Sequence, residues 1–276
     1  MRIWGVIALV LLTAVGCSSR FLYNHIDWVV IDYIEDYVEL TKEQERWVSE
    51  RVDVLTAWHR SEEIPRYIQQ LDTLIEMDPR TLTVEEFKQQ EAQIQQHIDR
   101  LVERLIPEIH TLLTQLDDEQ VEELMNGIRV RHSKFKKKYQ NWSENEIRTR
   151  NFERVSESFE NWIGDLSSEQ KRIAKEWVTE LNITTLDWIA HQTLIRVELK
   201  RLFATRYQPD IFMPSFNQLL LTPEILYSQQ LEAKIMHNRM VNYRYAVTII
   251  NHMTDAQIDH FRSELQKWKE RAKSLN

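Results

Sequence analysis

The chain has 276 residues, of which 42% are hydrophobic and 28% charged, and its formal net charge at pH 7 is −8. This length and hydrophobic content are sufficient for a folded core and exclude a disordered protein. Only four glycines and six prolines are present, whereas an average chain has roughly 7% Gly and 5% Pro. Nucleotide-binding loops need closely spaced glycines, and hairpin-rich folds need residues tolerant of positive φ. The composition therefore excludes both and favours an all-α fold.

The N-terminal segment has the pattern of a secretory signal. Arg2 precedes an apolar run over residues 3–15, which is shorter than the roughly 20 residues that a membrane-spanning helix needs. Ala14 and Gly16 then precede Cys17. This arrangement resembles the lipobox of bacterial lipoproteins, although Ala14 stands where that family more often has Leu. The resemblance implies cleavage before Cys17 and attachment of acyl chains such as palmitate to it.

Cys17 is the only cysteine, so the chain cannot form an internal disulfide, and a free buried thiol is the alternative to lipidation. Ser18 follows it, where an Asp would resemble an inner-membrane retention signal. We therefore expect an outer-membrane lipoprotein that faces the periplasm. Its parts are a signal peptide at 1–16, a tether at 17–21 and a helical domain at 22–276.

Hydrophobic residues recur with a period near 3.6 along most of the chain, and no long stretch alternates with period two. This pattern predicts an elongated multi-helix bundle. Residues 207–221, which contain Pro209 and Pro214, are predicted to be the only long non-helical segment. The predicted helices are 22–39, 42–77 with a bend at Pro65, 83–115, 118–141, 144–164, 168–206, 223–252 and 255–274.

A short motif recurs at four predicted helix starts. An apolar residue precedes a Thr, Asp or Ser at the N-cap position, and a Gln follows three residues later, as in a capping box. Seven of sixteen positions match between residues 40–55 and 166–181. We hypothesise two diverged halves, 22–145 and 146–276; independent convergence of capped helices is the alternative. The motif copies are residues 40–44, 116–120, 166–170 and 253–257.

The first 70 positions contain a distinctive order of aromatic and polar residues. It comprises Tyr23-Asn24, Asp27-Trp28, Asp36-Tyr37-Val38, Leu40-Thr41, Gln44, Trp58-His59-Arg60, Glu63-Ile64-Pro65 and Tyr67. This order resembles the N-terminal half of a Gram-negative lipoprotein family that carries only a domain-of-unknown-function label. The resemblance implies an all-helical envelope protein and no activity. Leu40-Thr41 with Gln44 also resembles the Leu-Thr-x-x-Gln motif of small helical periplasmic chaperones.

A candidate polar pocket lies near the predicted bend. His59 and Glu63 share one helix face, and Arg60 can hold a carboxylate through two hydrogen bonds. Alternatively, Trp58 packs in the core, while His59 and Arg60 tie helix 42–77 to helix 22–39. No histidine has the spacing typical of a zinc or di-iron motif, so no metal and no cofactor are expected. The candidate pocket residues are Trp58, His59, Arg60, Glu63 and Tyr67.

A basic run forms a local positive field on this acidic chain. An anionic glycolipid, an anionic phospholipid or an acidic protein face would complement it; solubility and pairing with neighbouring acidic helices are the alternative. The net acidic charge argues against nucleic acid as a partner. The charged residues of the run are Arg129, Arg131, Lys134, Lys136, Lys137 and Lys138.

The segment 207–221 offers a candidate apolar contact, since a long apolar loop either packs against the core or binds a partner. The residues concerned are Ile211, Phe212, Met213 and Phe216.

Together these patterns favour a binding or structural module of the cell envelope without catalytic residues. The expected partners are the membrane, through lipidated Cys17, and an unknown envelope protein or anionic glycolipid. A chaperone-like binder of unfolded periplasmic proteins is an alternative. A hydrolase of an envelope polymer is a further one, and it requires a cleft that joins His59 and Arg60 to carboxylates from another helix.

Overall fold

The computed structural model describes residues 22–275, and within them the all-α prediction is confirmed, since these residues form helices and no strand. No helix in this part of the chain is long and apolar enough to cross a membrane. Cys17 and the predicted signal peptide lie outside the described residues. The helices are α1 (Ile26–Glu35), α2 (Lys42–Trp58), α3 (Ile64–Glu76), α4 (Val84–Gln115), α5 (Asp118–Tyr139), α6 (Glu144–Ile163), α7 (Ser168–Glu180), α8 (Thr185–Ala204), α9 (Pro209–Leu221), α10 (Gln229–Asn251) and α11 (Asp255–Leu275).

Helices α2, α4, α5, α6, α7 and α11 begin within one residue of the predicted positions, because each has a capping box. The N-cap oxygen accepts a hydrogen bond from the N3 backbone N–H, and the N3 Gln or Glu side chain accepts one from the N-cap N–H. Two N–H groups without a helical partner are thereby satisfied at each start. The N-caps are Thr41, Thr83, Asp117, Ser143, Ser167 and Thr254.

The prediction of one helix over 168–206 is wrong, because the chain turns between α7 and α8. Leu181 is extended, and the Asn182 N–H donates to Asn238 Oδ1 at 2.8 Å. Asn238 Nδ2 donates back to the Asn182 carbonyl at the same distance. The turn contains Asn, Ile and Thr, which are weak helix formers. A side chain from α10 therefore provides the hydrogen bonds that a continuous helix would have made.

The prediction of a loop over 207–221 is also wrong, since α9 occupies most of this segment. Pro209 lies in the first helical turn, where its missing N–H costs nothing. Pro214 lies inside the helix and removes one hydrogen bond. Phe212 and Phe216 are one turn apart and are both buried. Burial of the two rings offsets the loss at Pro214.

The core consists of several connected clusters rather than one. The first packs α1 and α2 against the α4–α5 junction, and the second lies between α6, α7, α10 and α11. A third cluster joins α4 to α8 and α9. Helix α11 also packs closely along α3, so the two hypothesised halves share buried surface.

The four repeated motifs meet as two glutamine pairs. Gln44 Nε2 donates to Gln120 Oε1 at 3.0 Å, and Gln120 Nε2 donates to Gln44 Oε1 at 2.7 Å. Gln170 and Gln257 pair in the same way at 3.1 and 2.9 Å. Each side-chain amide also donates to the backbone carbonyl five residues before its partner glutamine. Both pairs therefore have the same local two-fold hydrogen-bond pattern.

Candidate functional site

The candidate polar pocket forms where α2 widens into a π-helix at His59–Glu63. The Ile64 N–H donates to the carbonyl of His59, one residue further back than in an α-helix. Pro65 has no N–H and therefore cannot donate to the carbonyl of Ser61, as an α-helix would require. The bend predicted at Pro65 is thus a π-helical turn, a feature frequent at functional sites. This turn places Glu63 in the interior, where its side chain is 0% exposed.

Glu63 is the centre of a buried ion cluster. Arg100 on α4 donates to both carboxylate oxygens, at 2.7 and 3.0 Å, and Arg66 donates to one at 2.7 Å. Arg100 also donates to His97 Nδ1, and His97 Nε2 lies 2.7 Å from Gln70 Oε1. Because a guanidinium can only donate, His97 carries its proton on Nε2 and donates it to Gln70. The cluster is fully hydrogen-bonded and connects α3 to α4.

The electrostatics of the cluster keep Glu63 ionised. Burial works against its charge, but the hydrogen bonds and charge of Arg100, together with the charge of Arg66, outweigh burial and hold the pKa of Glu63 below its usual value. Burial lowers the pKa of His97, which therefore remains neutral at pH 7. The Glu63 carboxylate thus accepts hydrogen bonds from two guanidinium groups, those of Arg66 and Arg100.

His59 and Arg60 contact the chain that precedes α1. The Tyr23 hydroxyl lies 2.8 Å from His59 Nδ1, and the Tyr67 hydroxyl lies 3.3 Å from His59 Nε2. Arg60 donates to Asn24 Oδ1 at 2.7 Å, and its guanidinium lies over the Tyr23 ring. These contacts hold His59 and Arg60 against residues 23–24. This is the arrangement expected if the two side chains tie the predicted helix 42–77 to the predicted helix 22–39. The carboxylates from another helix that a hydrolase needs are not among these contacts.

Burial lowers the pKa of His59 to about 4, although the charge of Glu63 opposes the shift. Burial also raises the pKa of Tyr23 to about 12, against the effect of Arg60, and raises that of Tyr67. The imidazole and both hydroxyls are therefore neutral at pH 7.

We expect His59 to make stability fall as the pH is lowered from 6.5 towards 4. The unfolded chain protonates His59 near pH 6.5, whereas the folded chain does so only near pH 4. At pH 5 the loss in the free energy of unfolding is about 2 kcal/mol, from ~1.4 kcal/mol per pKa unit. Urea unfolding at pH 7.5 and pH 5 measures it. His59→Gln removes this loss of about 2 kcal/mol from the pH dependence of stability, whereas His260→Gln, at an exposed position, leaves the loss in place. Equal pH dependence in all three proteins would contradict the assignment.

The sequence identified Trp58, His59, Arg60, Glu63 and Tyr67, but it missed Arg66 and Gln70 on α3 and His97 and Arg100 on α4. Trp58 is half-buried, with the Arg104 guanidinium 5.9 Å from its ring centroid. His97 and Arg100 lie three residues apart and so share a helix face, which is the one available signal. Nothing in the sequence sets which part of α4 lies against Glu63.

The basic run occupies the C-terminal half of α5, and all six charged side chains are exposed. Arg129 donates to Asn126 at 2.7 Å, and Arg131 donates to the Tyr37 hydroxyl. The other four side chains make no hydrogen bond or ion pair with any described residue. Lys138 lies 5.2 Å from the centroid of the Tyr139 ring. The run is therefore a solvent-facing positive surface.

The candidate apolar residues divide between core and surface. Phe212 is 0% exposed and stacks on Phe216, with ring centroids 5.5 Å apart. Met213 packs against the same cluster, whereas Ile211 is 51% exposed. Both phenylalanines are therefore unavailable to a partner.

No group of three or more His, Cys, Asp or Glu side chains in residues 22–275 is arranged to hold a metal ion.

In comparisons with known proteins, the model of a family of unknown function, DUF6279, matches residues 36–232. The match covers more than two thirds of the chain and includes the buried ion cluster and the basic run. No curated protein and no solved structure matches the chain.

Proposed function

The chain belongs to DUF6279, a family of unknown function, and we propose that the protein is a Gram-negative lipoprotein that acts by binding. Its acylated Cys17 anchors it in the outer membrane, and its helical body faces the periplasm. The observation that carries the proposal is that the only cysteine directly follows a 13-residue apolar run and a small residue. Several acyl chains on that residue give firm anchoring.

The exposed basic run supports binding as the activity of the body. Six positive charges within ten positions create a local field on a chain with net charge −8. Three of its lysines, Lys134, Lys136 and Lys137, have no side-chain partner among the described residues. An anionic glycolipid or an acidic envelope protein fits this surface.

Catalysis at the π-helix has less support. The Glu63 carboxylate accepts hydrogen bonds from Arg66 and Arg100, and the groups hydrogen-bonded to the His59 ring are hydroxyls. A general base needs a free lone pair within reach of a substrate proton. The cluster instead connects α3 to α4 and stabilises the body that presents the binding surface.

We also propose that residues 22–145 and 146–276 descend from one helical unit. The reciprocal amide hydrogen bonds that the Gln44–Gln120 and Gln170–Gln257 pairs share support this origin. The apolar residue before each N-cap is buried in all four motifs, at Leu40, Leu116, Leu166 and Met253.

We expect Cys17→Ser to remove the protein from the outer-membrane fraction, because the substituted residue cannot receive the acyl chains. Separation of inner and outer membranes, followed by immunoblotting, measures this. Ser18→Ala is the matched control and remains in the outer membrane. If Cys17→Ser remains in the outer-membrane fraction in the same amount as the wild-type protein, the anchoring mechanism is wrong.

A further inference from the structure

Tyr23 fixes the point at which the chain leaves the helical body. Its side chain is 5% exposed and packs in a cluster with Ile64 and Ala272. Its hydroxyl lies 2.8 Å from His59 Nδ1, and the Arg60 guanidinium lies 5.0 Å from the centroid of its ring. The body therefore holds the chain in place from residue 23 onwards.

The segment between Tyr23 and the proposed anchor is short. Tyr23 comes six residues after Cys17, and an extended chain spans at most about 3.6 Å per residue. The Cα atoms of the two residues are therefore no more than about 22 Å apart. Acyl chains on Cys17 would thus keep the start of α1 close to the lipid headgroups.

Trp28 lies five residues after Tyr23, near the start of α1, and its side chain is 64% exposed. Ile26, Val30 and Ile34 pack against the first core cluster, and their spacing of four residues places them on one side of the helix. Trp28 is two residues from both Ile26 and Val30, about 200° round the helix. Its indole therefore faces away from the core.

The charges on this side of α1 increase with distance from Tyr23. Asn24 lies one turn before Trp28, is exposed and carries no charge. Asp32 and Glu35 are exposed on the same side, but they lie one and two turns further along the helix. If the N-terminal end of α1 approaches a bilayer, both carboxylates remain in water while the indole reaches the headgroups.

An indole has an apolar body and one N–H donor, and tryptophan is accordingly enriched where a membrane meets water. We propose that Trp28 docks the N-terminal end of α1 on the phospholipid headgroup layer of the membrane that holds Cys17. One side chain is sufficient, because the short tether makes the contact intramolecular and keeps the local concentration of the surface high. This inference rests on the proposed function, since the acylated Cys17 provides the tether.

Brominated lipids allow a local test on the full acylated protein, because bromine quenches a tryptophan only at short range. The protein is reconstituted in phosphatidylcholine vesicles, with or without bromine on the acyl carbons nearest the headgroup. The sequence has nine tryptophans, and cleavage before Cys17 removes Trp4 and leaves eight. We expect brominated vesicles to lower the total emission by up to about one eighth, and this loss to disappear in Trp28→Phe.

The matched control is Trp142→Phe. Trp142 is half-buried just before α6, and the 20 residues of that helix separate it by about 30 Å from Trp162. Trp162 stacks on Trp268 near the C-terminal end of α11, the end that packs against Tyr23. We expect Trp142→Phe to be quenched as the wild-type protein is. Both variants keep an aromatic ring, and circular dichroism checks that they fold.

Flotation of the vesicles in a density gradient measures anchoring separately, and Trp28→Phe should float as the wild-type protein does. Two results overturn the inference while the anchor stands: a floating protein whose emission is equal in both kinds of vesicle, or equal quenching of the wild-type protein and Trp28→Phe. A wild-type protein that does not float overturns both the anchor and the inference.

Discussion

Arg100→Met lowers the free energy of unfolding by about 3 kcal/mol. Glu63 is fully buried, and the loss of Arg100 removes both of the hydrogen bonds that Arg100 donates to its carboxylate. Removing one partner of a buried ion pair typically lowers the free energy of unfolding by about 3–5 kcal/mol, because the other charge is left unpaired in the interior. Arg66 still contacts the carboxylate and limits the loss. Urea unfolding followed by circular dichroism at pH 7.5 measures it.

The matched control is Arg172→Met on α7. Arg172 also contacts two carboxylates, those of Glu169 and Glu176, but all three side chains are at least half exposed. Exposed pairs contribute only about 0–1 kcal/mol, because water and salt screen them. Equal losses for Arg100→Met and Arg172→Met would show that the cluster around Glu63 is not a stabilising centre.

Gln170→Leu lowers the free energy of unfolding by about 3 kcal/mol. Gln170 is 0% exposed, and its Oε1 accepts from the Ser167 N–H at 2.9 Å. The substitution removes the side-chain half of the capping box, while the Ser167 hydroxyl still accepts from the residue 170 N–H. Each buried polar group left without a partner costs about 1–3 kcal/mol, and the Ser167 N–H loses its acceptor and the His252 carbonyl its donor. Urea unfolding again provides the measurement.

A double-mutant cycle distinguishes pairing from simple burial. Because Gln170 and Gln257 bond to each other, the variant with both changed to Leu loses less stability than the sum of the single variants. Gln266→Leu, which removes a surface hydrogen bond to Glu270, costs less than about 0.5 kcal/mol. Additive losses at Gln170 and Gln257 would contradict the pairing.

The sequence predicted the features of this fold that depend on local interactions. A helix start such as Thr41 or Ser167 is set by the cap and by a side chain three residues away, so it can be read from a few positions. The break after Glu180 depends on Asn238, which is more than fifty residues distant. Helix α9 depends on burial of Phe212 and Phe216 against α4 and α8. Such distant contacts are not visible in local periodicity.

The candidate site also combines relations that depend on local spacing with relations that depend on distant contacts. The sequence placed His59 and Glu63 on one helix face, since that relation depends only on helical spacing. It could not place Arg100 beside Glu63, because the register of α4 against α3 results from the packing of the whole bundle. Likewise, it identified the four glutamine motifs but not which of them would pair.

The most direct test of the account is the intact mass of the natural protein, extracted with detergent from bacterial outer membranes. The account predicts a polypeptide that begins at Cys17 and carries the additional mass of its acyl chains. A polypeptide that retains residues 1–16, or one with an unmodified Cys17, would contradict it.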